Sequence, residues 1–247
     1  MPVSRLRIST MIRTFYIFLW VVLSTLILGI LAIILSFFCR TGNSVHRIAR
    51  IWGRGVLLVS RVRVSVKGLS QINPARSYIY MSNHQSNFDI PVLLAHLPVQ
   101  FRWLAKAELF KIPIFSRAMR GAGYVRIDRF NRESAIQSIK EAAAKMKDGV
   151  SVMIFPEGTR SHDGSIRPFK KGGFVMAVDT GVPIVPVILQ GTLPIMDKNS
   201  WRINAGEVSL QIEKPIDTTG YTRETKDELI ETVRSVICRG FEEGERG

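Results

Sequence analysis

Hydrophobic and polar positions along the 247-residue chain fall into three regimes. The first is a continuous apolar run at residues 15–39 that contains no charged side chain. A bilayer core is crossed by about 20 apolar residues at helical rise, so this run predicts a membrane-embedded helix. A cleaved signal peptide has a core of about 7–15 residues and ends at a small-residue cleavage site. Here the run is longer and ends Ser-Phe-Phe-Cys-Arg, which favours a retained anchor. The second regime, residues 44–59, has helical period. Val45, Ile48, Ala49, Trp52, Val56 and Val59 share one face, and Arg47, Arg50 and Arg54 the other. A basic face opposite one carrying a Trp suits a membrane interface with anionic headgroups, the alternative being a helix packed on the domain. From Arg61 the period becomes two: Val62, Val64 and Val66 alternate with Arg61, Arg63, Ser65 and Lys67, a half-buried strand.

Further strands are predicted at 77–81, 101–104, 123–127, 150–155, 183–189 and 208–213. Helices are predicted between and after them, at 89–95, 114–119, 132–146, 171–179 and 224–239. This alternation implies an α/β fold with a mixed, mostly parallel sheet flanked by helices. It would follow a membrane-embedded helix and an amphipathic interfacial helix. The expected division is a membrane-binding segment at 1–60 and an α/β domain at 61–247.

The formal net charge of +14 narrows the partners to anionic ones: nucleic acid, anionic lipid or a phosphorylated substrate. No nucleic-acid recognition module or basic tail is present, so no nucleic-acid partner is expected. The two cysteines, Cys39 and Cys238, have no neighbour at metal-ligand spacing, so neither a disulfide framework nor a Cys-based zinc site is expected. Arg40, Arg47, Arg50 and Arg54 after the apolar run outweigh Arg5, Arg7 and Arg13 before it. That slightly favours the body of the protein on the cytoplasmic side of the membrane, the inner membrane in a bacterium. A re-entrant hairpin entering one leaflet satisfies the same charges.

Candidate chemistry centres on Ser82-Asn83-His84-Gln85-Ser86-Asn87-Phe88-Asp89, where a strand hands over to a helix. The spacing lets the Asp89 carboxylate reach one imidazole nitrogen of His84 and fix its tautomer, leaving the other to take a proton. The alternative makes His84 and Asp89 turn and cap residues, with Ser86, Asn87 or Asp89 capping the helix. Residues 152–160 are an apolar strand breaking into Pro156-Glu157-Gly158. Gly158 allows a tight turn or close backbone approach. Thr159 and Arg160 suit a phosphate monoester; alternatively Arg160 pairs with Glu157. Residues 121–129 form a strand ending in charge, whose Arg129 could reach the same pocket, while Arg126 is better read as a solvated strand end. Phe169-Lys170-Lys171-Gly172-Gly173 precedes a helix as an anion site or a solvated turn.

Together these stretches resemble the glycerolipid acyltransferases, the family that includes 1-acylglycerol-3-phosphate (lysophosphatidic acid) acyltransferases. Asn83, His84 and Asp89 match Asn-His-x4-Asp. Residues 123–129 match a glycine and apolar strand ending in Arg, with Arg126 where the family usually carries an apolar or aromatic residue. Residues 155–161 match Phe-Pro-Glu-Gly-Thr-Arg-Ser without departure, and 182–187 match Val-Pro-Ile-Val-Pro-Val. Residues 105–109 and 169–172 are also similar to the family's.

The resemblance implies a membrane-bound enzyme. It would transfer a fatty acyl group from acyl-CoA or acyl carrier protein to the sn-2 hydroxyl of lysophosphatidic acid, giving phosphatidic acid. His84 would be the general base and Asp89 its orienter. Lys106, Arg129, Glu157, Gly158, Thr159 and Arg160 would bind substrate, with no metal and no resident cofactor. Glycerol-3-phosphate, another lysophospholipid or a lyso-aminolipid are alternative acceptors. Two other classes remain open. One is a metal-dependent hydrolase using His84, Asp89 and Glu157 with His162 and Asp163. The other is a non-catalytic membrane-binding protein.

Overall fold

The computed structural model describes residues 3–39, 41–128, 130–147, 149–161 and 163–245. Two helices come first, α1 (Val3–Phe38) and α2 (Asn43–Ser60). Strands and helices then alternate: β1 (Val62–Lys67), β2 (Ile79–Ser82), α3 (Asp89–His96), β3 (Phe101–Lys106), α4 (Phe115–Gly121), β4 (Val125–Ile127), α5 (Arg132–Lys147), β5 (Ser151–Ile154), α6 (Gly172–Thr180), β6 (Ile184–Gln190), β7 (Gly206–Ile212) and α7 (Lys226–Glu245). Among the described residues the strands form one sheet, ordered β1-β7-β6-β2-β5-β3-β4. Neighbours run parallel except β6 and β7, which pair antiparallel with Leu189 opposite Leu210.

The apolar runs occupy the middle of the sheet. Every residue of β2 and β5 is buried, as expected where helices cover both faces. Because strand side chains alternate, the two faces belong to different cores. Tyr80, Met153, Val185 and Val187 pack with α3 residues Val92 and Leu93 and with Val56 and Leu57 of α2. Ile79, Met81, Val152, Ile154 and Ile188 pack with α6 and with Leu229, Val233 and Ile237 of α7. β1 keeps the alternation read from the sequence, only Val62 being buried.

The apolar face of α2 is turned inward. Val45, Ile48 and Val56 are buried, and the Trp52 indole donates to Thr25 Oγ1 of α1 at 3.0 Å. Arg47 and Arg54 stay exposed on the other face. This corrects the expectation that the Trp-bearing face meets lipid: packing on the protein uses it. The surface that stays apolar belongs to α1, where Phe15, Leu19, Val22, Leu26, Ile27, Ile30 and Ile34 are all exposed. Its stretch Thr10–Phe38 is long and apolar enough to cross a membrane.

α1 nevertheless runs along the rest of the molecule. Arg13 Nη2 donates to the Ile203 carbonyl at 2.9 Å. Trp20 closes over Gly55, where a Cβ would lie 2.3 Å from the indole, so this glycine lets the two helices approach. Gly29 comes against Ile114, and Ser36 against Gly121 at the end of α4.

Candidate active site

The site lies at the carboxyl ends of the central strands β2 and β5, where open α/β sheets leave a crevice. β2 ends at Ser82, and Asn83 then fixes the exit of the chain. Its amide spans the backbone of Leu189 in β6, accepting from the Leu189 N–H and donating to its carbonyl, both at 2.8 Å. His84 follows on the six-residue loop 83–88 that leads into α3.

The His84 Nδ1–H donates to Asp89 Oδ2 at 2.7 Å. The same oxygen accepts the backbone N–H groups of Gln85 at 2.7 Å and Ser86 at 2.9 Å. Three donors converging on one oxygen of a fully buried carboxylate hold it as an acceptor, which fixes the proton on Nδ1. Nε2 is left to accept a proton. Phe155 lies flat on the imidazole, with ring centroids 3.9 Å apart and planes 8° from parallel, and Trp103 stacks beyond Phe155 at 5.4 Å. The Asp89 side chain therefore orients His84 rather than capping α3, whose N-cap, Phe88, makes no side-chain cap bond.

The turn after β5 is tied to the same loop. Glu157 Oε1 accepts the His84 backbone N–H at 2.7 Å, and Oε2 accepts the Arg167 N–H at 2.9 Å. The Ser161 N–H in turn donates to the His84 carbonyl at 2.8 Å. Glu157 is only 3% exposed, and burial raises its carboxyl to about 7 against the pull of those two N–H groups. Its bonds run to backbone groups rather than to Arg160. Gly158 adopts φ +73°, and a Cβ there would sit 2.8 Å from the Lys170 side chain.

His84 opens onto a cavity of about 820 Å³. Its apolar wall includes Leu28, Gly29 and Ala32 of α1, Val45 and Ile48 of α2, and Met119 of α4. Its polar wall is cationic: Lys106, Arg160, Lys170 and Lys198, with Gly158 and Thr159 between them. Lys198 Nζ donates to the Arg160 carbonyl at 3.2 Å. Burial, with Arg160 and Arg167 nearby, lowers the Lys198 ammonium.

Of the residues singled out from sequence, His84, Lys106, Gly158, Thr159 and Arg160 line this one cavity. Asp89 and Glu157 lie behind it, each holding the His84 loop. Arg129 and His162 lie outside the described residues. Arg126 is an exposed residue of β4. Lys198 had no local signal: it lies 38 positions beyond Arg160, and only the pairing of β6 beside β2 folds its loop back over the site. Asn83 and Phe155 were read as parts of motifs, and the structure gives them separate duties. Both Glu157 oxygens are occupied by N–H groups, and Asp163 Oδ1 accepts Ser161 Oγ and two donors of Ser165. Among the described residues no three His, Cys, Asp or Glu side chains converge as a metal site.

Residues 63–190 match the family described as Acyltransferase. The chloroplastic 1-acyl-sn-glycerol-3-phosphate acyltransferase of Brassica napus is 37% identical over 205 residues, covering 77% of this chain and 59% of the relative. A chloroplastic 1-acyl-sn-glycerol-3-phosphate acyltransferase of Arabidopsis thaliana is 39% identical, over 69% of this chain and 48% of its own length. The chain thus spans about half to three fifths of these two relatives. The crystal structure of the 1-acyl-sn-glycerophosphate (LPA) acyltransferase PlsC from Thermotoga maritima superposes with a TM-score of 0.83, at 32% identity and 97% coverage of both chains. A matching profile over more than half the sequence, together with a fold shared end to end, establishes that this chain belongs to the acyltransferase family.

Proposed function

We propose that this protein transfers a fatty acyl group from a thioester donor, acyl-CoA or acyl carrier protein, to the sn-2 hydroxyl of lysophosphatidic acid. The observation that carries the reading is the His84–Asp89 pair opening onto a cavity with one apolar and one cationic wall. His84 Nε2 takes the hydroxyl proton as the oxygen attacks the thioester carbonyl. The thiolate leaves, and the proton held by the imidazole neutralises it. General-base help of this kind contributes about 10²–10⁴-fold. Asp89 keeps the reactive tautomer and stabilises the imidazolium. Direct attack requires neither a covalent enzyme intermediate nor a metal.

Arg160, Lys106, Lys170 and Lys198 hold the acceptor's phosphate; a guanidinium meets a phosphate with paired, charge-assisted bonds. The apolar wall takes an acyl chain, and about 820 Å³ lies within the range of ligand pockets, roughly 300–1,000 Å³. Part of that wall is α1, so the site opens beside the helix that enters lipid, and the acceptor reaches it from the bilayer. The domain sits on the cytoplasmic side, where both thioester donors occur. The names of the relatives support this choice of acceptor.

The test is a donor-by-acceptor matrix with the purified full chain in detergent, read by thiol release and the mass of the lipid product. Phosphatidic acid should form with lysophosphatidic acid, and His84→Ala should abolish it while the melting temperature is kept. Near wild-type turnover in His84→Ala would falsify the base assignment. Free fatty acid as the only product would replace transfer with hydrolysis.

A further inference from the structure

A second groove, of about 710 Å³, lies on the other half of the α1–α2 hairpin. It is lined by eight residues of α1 between Thr10 and Leu23 and by Val59 and Arg61 at the end of α2, and it shares no lining residue with the His84 cavity. Its apolar surface includes Ile17, Leu19 and Leu23, its aromatic rings are Tyr16 and Trp20, and its charges are Arg13 and Arg61.

No carboxylate lines it, and none is close in sequence, because the chain has no Asp or Glu before Asp89. The two guanidinium groups are placed differently. One terminal nitrogen of Arg13 is held by the Ile203 carbonyl, which fixes the side chain, while its Nε is buried without a hydrogen-bond partner. A buried donor left in that state is costly until an acceptor arrives. Arg61 ends α2 in the left-handed conformation at φ 54°, with an exposed side chain.

Two guanidinium groups in the lining of one otherwise largely apolar groove, with Tyr16 and Trp20 in its wall, match a phosphate ester attached to acyl chains. The groove opens on the exposed apolar face of α1, which favours a lipid over a soluble anion. We infer that this groove holds one anionic glycerophospholipid of the bilayer, its phosphate between Arg13 and Arg61 and one acyl chain along Ile17, Leu19 and Leu23. The occupant is a structural lipid rather than a substrate approaching His84, since the two cavities are separately lined. It ties the depth of α1 to the headgroup layer.

Native mass spectrometry of the detergent-purified full chain, with added phosphatidylglycerol or phosphatidylcholine, tests this. One phosphatidylglycerol should be retained, at least about tenfold better than phosphatidylcholine: both carry the phosphate, but the choline cation brings a third positive charge to a groove with no carboxylate to meet it. Arg13→Gln with Arg61→Gln should lower that retention by about tenfold or more. Arg47→Gln with Arg54→Gln, which removes equal charge from the exposed face of α2, should leave it unchanged. Equal retention of the two lipids, no loss in the Arg13/Arg61 variant, or equal loss in the Arg47/Arg54 control would each overturn the inference.

Because Arg13 also braces α1 against Ile203, two milder variants guard against misfolding. Arg61→Gln alone, and Leu23→Trp, which fills the slot and leaves both arginines, should each reduce retention at an unchanged melting temperature. Full retention in both would equally overturn it. Retention is read without turnover, so its failure leaves the acyl-transfer proposal standing.

Discussion

Glu157→Gln probes the tie between the His84 loop and the turn that carries Arg160. The carboxyl of Glu157 titrates at about 7 in the folded chain because it is buried, compared with an ordinary value of 4.5. Between those values the native state binds more protons than the unfolded chain. This contribution to stability is therefore fully present below pH 4.5 and is lost as pH rises through about 7. Integrated from pH 5 to pH 8, the loss is about 2–3 kcal/mol. Glutamine has no proton to release, so the variant lacks this slope. It also sets an NH₂ group against one of two backbone donors, an offset of about 1–3 kcal/mol at every pH. The assay is thermal melting of both proteins in one detergent at pH 5, 6, 7 and 8. A chain of this size shifts by about 2–4 °C per kcal/mol, so the wild type's advantage at pH 5 should exceed that at pH 8 by about 5–10 °C. A constant gap across that range would refute the assignment of a buried, proton-holding carboxyl.

Asp89→Asn replaces an acceptor of three N–H groups with a side chain that also donates. It should lower kcat by about 10³–10⁴-fold through loss of the tautomer, with little change in acceptor KM; an unchanged kcat in a steady-state assay would remove Asp89 as the orienter. Arg160→Ala should raise the KM for lysophosphatidic acid well above any change in donor KM, and equal shifts in both would take Arg160 off the phosphate. Gly158→Ala puts a Cβ into the space of Lys170 and a side chain at positive φ, a backbone cost of about 1–2 kcal/mol. Its melting temperature should fall and its acceptor KM rise, whereas wild-type values for both would show that the turn tolerates the methyl.

Much of the α/β layering was legible because central strands are short and unbroken by polar residues. Ile79 to Ser82 and Ser151 to Ile154 are buried on both faces, and turn residues bound them. The pairing of His84 with Asp89 was equally local, five positions apart from the loop to the first residue of α3. What periodicity could not supply was the partner of an apolar face. The stripe on α2 reads the same whether it meets lipid or protein, and the decision came from α1 and α3 lying beside it. The role of Glu157 was hidden for a related reason. Its acidic side chain in a turn reads as a ligand for substrate, but its acceptors are spent on the backbone of His84 and Arg167, residues 73 and 10 positions away. Lys198 joined the cationic wall only through strand order.

The two ties between the His84 loop and the 157–161 turn, one through the Glu157 carboxylate and one between main chains, make a calliper. The imidazole is held against Phe155, and Arg160 sits on the same turn, so on the proposed function the span from Nε2 to the phosphate-binding guanidinium depends on these two ties. On the proposed function, an acceptor is gauged by how far its reacting hydroxyl stands from its phosphorus. Molecules with an added or missing carbon in that spacer would lodge at one jaw and miss the other.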